Sequence, residues 1–193
     1  MNIYIACGLT HVQRDEFSSY VALMEGLASQ LTTHFHAQVR YALKDSDPQL
    51  AERPFADRAR LCYLWDKDMV AWADVVVAEA SYPSTGLGIE LQLACSRGIP
   101  VVLAFKLDDG HRAKPVQYET ADHQIHDLQL GDGYVSLMAL GLPNLFGILP
   151  YINPDHLWLE LHAMLETLQR PQAGSSESNR LPLPAGSPQM PSE

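Results

Sequence analysis

Two carboxylates in this sequence stand where an acid is costly unless it does something. Glu90 follows Gly86, Leu87 and Gly88 in "AEASYPSTGLGIELQLA" (78–94), and its neighbours include Ile89, Leu91, Leu93 and Ala94. Asp66 lies within "RPFADRARLCYLWDKDMVAWA" (53–73), where the residues one helical turn away are Cys62, Tyr63, Met69 and Val70. Taking a carboxylate out of water is expensive unless partners or a reaction compensate. The local sequence leaves three readings of Glu90 open: a charge at the positive end of a helix dipole, part of a phosphate-holding turn, or a nucleophile. Asp66 has its own plain alternative, pairing with a buried donor. Two carboxylates converging on one sugar suit glycosidic-bond chemistry: one attacks the anomeric carbon while the other manages a proton or orients water.

The turn before Glu90 falls short of a dinucleotide fingerprint. In "GLGIEL", Leu91 stands where G-x-G-x-x-G has its third glycine, and the chain has no Walker A pattern. Ser84, Thr85, Gly86 and Gly88 are small enough to present N–H and hydroxyl groups to a single phosphate at a helix start. The histidine pairs, His34 with His36 and His123 with His126, lack a convincing third ligand. They read as surface residues rather than a metal site.

The elements that must position these residues follow from apolar periodicity. "IYIAC" (3–7), "AQVRYAL" (37–43), "DVVVAEA" (74–80) and "IPVVLAF" (99–105) read as strands. Between them, 15–33, 53–73 and about 87–97 carry helical spacing, with Pro54 near a helix start, where it is tolerated. The third strand is nearly continuous in apolar residues, as a strand covered on both faces should be. This alternation predicts a parallel α/β sheet with helices on both faces, and open sheets of that kind bind ligands at their strands' carboxyl ends. Residues 106–134 are polar and read as a long loop or insertion. A short helix over 134–141, a fifth strand over 145–152 limited by Pro150, and an amphipathic helix over 154–169 complete a domain spanning 1–169. The Pro- and Ser-rich segment 170–193 reads as a disordered tail.

Composition narrows the class. The 193 residues are 47% hydrophobic, with 23 acidic against 13 basic side chains, a formal charge of −10 that argues against a nucleic-acid polymer as partner. No apolar run approaches a membrane span, and the N-terminus lacks the pattern of a signal peptide. Three scattered cysteines, Cys7, Cys62 and Cys95, suggest reduced thiols in a cytoplasmic protein.

Taken together, "YIACGLT" and "WDKDMVAWADVVVAEASYPSTGLGIELQLA…GIPVVLAF" resemble the nucleoside 2-deoxyribosyltransferase superfamily, and within it the 2′-deoxynucleoside 5′-monophosphate N-glycosidases. The resemblance covers roughly 3–170 and is most specific from Trp65 to Leu93. It implies a flavodoxin-like, Rossmann-like three-layer sandwich whose five-stranded parallel sheet runs 2-1-3-4-5. It also implies that Glu90 is the nucleophile, that Asp66 assists proton transfer and positions sugar or water, and that Tyr4 sits near the sugar. Ser84 matches a serine that contacts the 5′-phosphate, where transferases acting on free nucleosides carry Asp. Ser136, in "VSLMALG", matches a serine that reaches the neighbouring subunit's phosphate, so a homodimer or larger homo-oligomer is expected. The family places an arginine after the first strand, and here that position is Thr10. His11 and Arg14 are the nearby candidates to substitute for it, with Gly8 and Leu9 offering backbone N–H groups. The implied reaction is hydrolysis of the N-glycosidic bond of a (deoxy)nucleoside 5′-monophosphate, with no cofactor and no metal. Base exchange on free nucleosides and a non-catalytic nucleotide sensor are the alternatives.

Overall fold

The computed structural model describes residues 1–170. The tail expected from 170 therefore lies, apart from its first residue, outside the described residues.

β1 (Asn2–Cys7), β2 (Gln38–Tyr41), β3 (Val75–Glu79), β4 (Val101–Lys106) and a fifth strand at Leu145–Tyr151 form one parallel sheet. Its order is the expected one: β2, β1, β3, β4, then the 145–151 strand. Side chains alternate across a strand, so β1 sends Ile3 and Ile5 to one face and Tyr4 and Ala6 to the other. The first face packs on α1 (Phe17–Phe35) and on the C-terminal helix (Pro154–Gln169) through Met24, Leu31, Leu157 and Leu161. On the opposite face lie α4 (Phe55–Trp72) and α5 (Thr85–Ser96), which contribute Met69, Val70, Leu87 and Leu91. All five residues of β3 are buried, which explains the unbroken apolar run.

Two one-turn helices that periodicity did not announce, α2 (Ala42–Asp45) and α3 (Asp47–Ala51), join β2 to α4. The predicted strand over 37–43 accordingly stops at Tyr41. Segment 106–134 is not all loop, because a small antiparallel hairpin, β5 (Gln117–Glu119) with β6 (Ile125–Asp127), stands on it with every strand residue exposed. α6 is shorter than expected, Leu137–Leu140, with Ser136 as its N-cap. The 145–151 strand is β7, and Pro150 does not shorten it: an edge strand tolerates the missing N–H. Asn153 caps the last helix, α7 (Pro154–Gln169), accepting from the His156 N–H at 2.9 Å. Among the described residues, no helix is long and apolar enough to cross a membrane.

Candidate active site

α5 begins two residues earlier than its glycines suggest. Ser84 is extended (φ −148°, ψ 121°) and its Oγ accepts from the Leu87 N–H at 3.2 Å, a serine N-cap. Gly86 and Gly88 therefore lie inside the first turn and a half of the helix. Glu90 falls beyond the first turn, which holds no acid. The dipole reading of Glu90 loses its basis, since that effect fades within one turn.

Glu90 instead points into the protein, with 8% of its surface exposed. Its Oε1 accepts from the Tyr4 hydroxyl at 2.6 Å, across the face of the sheet that α4 and α5 cover. Tyr4 reaches it because β1 alternation turns residue 4 toward that face. Asp66, half-buried on α4, lies close enough for its charge to act on both Glu90 and Tyr4. Burial, with Asp66 adding repulsion, pushes the Glu90 carboxyl up to about 8 against the pull of the Tyr4 hydrogen bond. The Tyr4 phenol is itself raised, by burial first and then by Glu90 and Asp66. Asp66 is also raised, mainly by burial, while Cys62 and Ser46 pull it down. Three residues predicted from sequence thus form one cluster of two carboxyls and a phenol, with no cation among the causes of any of their shifts.

The predicted phosphate contacts lie around the α5 N-terminus. A Cβ on Gly8 would stand 2.8 Å from Ser84 Cβ and 3.0 Å from the Tyr82 carbonyl oxygen, so glycine lets the loop after β1 close on the Ser84 turn. At Gly88 an added Cβ would meet nothing within 4 Å, which leaves open space on that side of the helix. Leu9 packs against the α1-side core, and Thr10 is exposed. A cavity of about 420 Å³ opens beside the α5 N-terminus, lined by Tyr82, Ser84, Leu87, Gly88, Tyr134 and Ser136 among others. Ser136 is exposed at its rim, and its Oγ accepts from the Met138 N–H at 3.2 Å. Ser84 and Ser136 of one chain therefore face one cavity. Glu90, Asp66 and Tyr4 do not line it, because they occupy the side of α5 turned toward β1 and α4.

The sequence reading missed Glu79. It ends β3 fully buried, on the α1 side of the sheet, and receives the hydroxyls of Tyr20 at 2.5 Å and Tyr151 at 2.9 Å. The Ser81 N–H donates to it at 3.3 Å, and the Ser81 hydroxyl also donates to the same carboxyl. The sequence held no clear signal for it, because a polar residue at the end of an apolar strand ordinarily marks the exit to water, and here all five strand residues are buried. Ser46, buried beside Asp66, was also missed, although a serine followed by Asp47 and Pro48 is the pattern of a helix start and Ser46 is the N-cap of α3.

Comparison with known proteins gives the architecture a context. No family model matches the chain, and no curated protein sequence matches it. Among solved structures, a CMP N-glycosidase from Clostridium botulinum, BcmB, superposes with a TM-score of 0.51 at 16% identity, covering 84% of this chain and 98% of that one. A conserved protein from Enterococcus faecalis V583 gives 0.55 at 19% identity, over 84% and 97%. The chain has their fold. A 2-deoxyribosyltransferase from Bacillus psychrosaccharolyticus matches less of the chain, 54% against 72% of its own length, with a TM-score of 0.42 at 22% identity.

Proposed function

We propose that the protein cleaves the N-glycosidic bond of a (deoxy)nucleoside 5′-monophosphate, with Glu90 attacking C1′. The observation that carries this reading is the Glu90 carboxyl itself: buried between α5 and β1, beside a second carboxylate, and held by one tyrosine. A group so poorly compensated for its burial is better explained by chemistry than by folding. The shared fold with a CMP N-glycosidase supports the same choice by analogy.

The steps balance. A Glu90 oxygen forms a bond to C1′ as the C1′–N bond breaks, and that electron pair leaves with the base, which takes up a proton. Water then attacks C1′ with Asp66 accepting its proton, the Glu90 ester breaks, and sugar phosphate is released. At neutral pH Glu90 is largely protonated in the free protein, so its proton must leave before attack: Asp66 takes it and passes it to the departing base, which frees Asp66 to accept the water's proton. Ser84 would serve the phosphate. Its oxygen already accepts from Leu87 N–H, which leaves the hydroxyl proton to donate to a phosphate oxygen at the positive end of α5. A homodimer that brings Ser136 to a neighbouring site belongs to the same proposal, although Ser136 also lines its own chain's cavity with Ser84.

The raised Glu90 carboxyl favours one rival assignment, in which Glu90 is the general acid and Asp66 the nucleophile. A 2-fluoro-sugar nucleotide that stalls the intermediate separates the two, because mass spectrometry of the digested protein shows which residue carries the sugar. The broader test is a panel of deoxy- and ribonucleoside monophosphates with free base measured by chromatography. Base release from monophosphates, and not from free nucleosides, is the expected result. Exchange onto an added base without a 5′-phosphate would make it a transferase, and binding without release would make it a sensor.

A further inference from the structure

Asp66 is held from two directions. Ser46, only 1% exposed at the junction of α2 and α3, donates its hydroxyl to Oδ1 at 3.0 Å. From one turn earlier on α4, the Cys62 thiol donates to Oδ2 at 3.3 Å. Each carboxylate oxygen thus has its own neutral donor. The charged and titratable groups that face Asp66 from the surrounding elements are Asp47 on α3, Glu90 on α5, and Tyr4 and Cys7 on β1. All of these are acids, so none of them helps to keep Asp66 ionised.

We infer that Ser46 and Cys62 are positioning residues that fix Asp66 in one orientation and keep it an anion able to take a proton beside Glu90. The inference rests on the proposed reaction, since it assigns Asp66 its role there. Thiol chemistry agrees with it. Burial, followed by the charge of Asp66, pushes the Cys62 thiol up to about 11, so across the neutral range it keeps its proton and remains a donor. A serine hydroxyl and a protonated thiol both serve a carboxylate without introducing a charge that would compete for it. The arrangement also explains why two residues with no catalytic chemistry of their own converge on a half-buried acid from separate elements.

The experiment compares Cys62→Ala, Cys62→Ser and Ser46→Ala with wild type in two readouts. One is the pH profile of kcat for base release. The other is a ¹³C NMR titration of the Asp66 carboxyl, which needs no turnover. Removing a donor to an ionised carboxylate disfavours the charged form, so both alanine variants should move the Asp66 titration to higher pH. The loss in kcat at neutral pH should be roughly tenfold with KM little changed, the weight of one hydrogen bond to a charged group. Cys62→Ser should restore both readouts, since it returns a donor. An Asp66 titration that stays put in Cys62→Ala, or a serine variant no better than alanine, overturns the inference. Should wild type release no base, the proposed reaction falls, and the NMR titration still decides whether the two donors hold Asp66. If Ser46→Ala fails to fold, the Cys62 pair decides alone.

Discussion

Glu90 and Glu79 are both buried carboxylates, set on opposite faces of one sheet, and the protein treats them differently. Glu79 accepts from Tyr20, Tyr151, the Ser81 hydroxyl and the Ser81 N–H. Those four donors come from α1, β7 and the turn after β3, so the carboxylate ties three parts of the fold together. Glu90 accepts from Tyr4 alone among the described residues and faces the like charge of Asp66. Burial raises both carboxyls. At Glu79 four hydrogen bonds pull back against it, and little accepting capacity is left for anything else. At Glu90 one hydrogen bond pulls back and most of that capacity stays free. A buried acid with filled valences is architecture, and a buried acid with empty ones is a candidate for chemistry.

The comparison breaks most visibly at Glu90→Gln. Base release should fall by at least about a thousand-fold, as loss of a nucleophile does, while the fold survives. Stability adds a second readout. The folded Glu90 carboxyl titrates near 8 against a reference of 4.5. The native state therefore binds more protons than the unfolded chain between those values, and stability falls as pH rises through that window. Glu90→Gln cannot lose that proton. In urea denaturation its margin over wild type should grow from pH 5 to pH 8, and an equal margin at both would show that Glu90 is not strained by burial.

Glu79→Ala should do the reverse. It leaves the hydroxyls of Tyr20 and Tyr151 without their acceptor inside the protein, at a cost of about 3 kcal/mol or more in unfolding free energy. Activity per folded molecule should stay within a few-fold, measured by active-site titration against total protein. A large loss of turnover in material that remains fully folded would move Glu79 into the chemistry and erase the distinction.

How far the sequence foretold this contrast depends on the element. β3 and the amphipathic α7 were legible because burial on two faces and on one stripe leaves plain periodic signatures. Glu90 and Asp66 stood out because each is an acid among apolar neighbours, and the resemblance supplied Tyr4 and Ser84. The start of α5 was obscured by Gly86 and Gly88, which cost a helix about 1 kcal/mol each relative to alanine and so read as loop; the serine cap overrides them. α2 and α3 are one turn each and too short to show a period, which hid Ser46. Glu79 closes an apolar run, where a polar residue ordinarily marks the strand's exit to water. Only the paired hydroxyls of Tyr20 and Tyr151, far apart in sequence, show that it stays inside.

The finest test applies one chemical change to both faces. Tyr4→Phe removes the only hydrogen bond that Glu90 receives among the described residues, and Tyr20→Phe removes one of the four found at Glu79. The Tyr4 hydroxyl lowers the Glu90 carboxyl, so its loss should carry the acid limb of kcat/KM upward from about 8. Activity at neutral pH should drop roughly tenfold, the equivalent of one charge-assisted hydrogen bond. Tyr20→Phe should cost about 1 kcal/mol in urea denaturation and leave the limb where it was, because the remaining three donors still hold Glu79 and nothing connects it to the reacting sugar. The informative result is the crossover, with the pH profile moving for one tyrosine and stability alone for the other. If both variants shift the profile alike, the two carboxylates share one electrostatic network across the sheet, and Glu79 must then be counted among the groups that set the ionisation of Glu90.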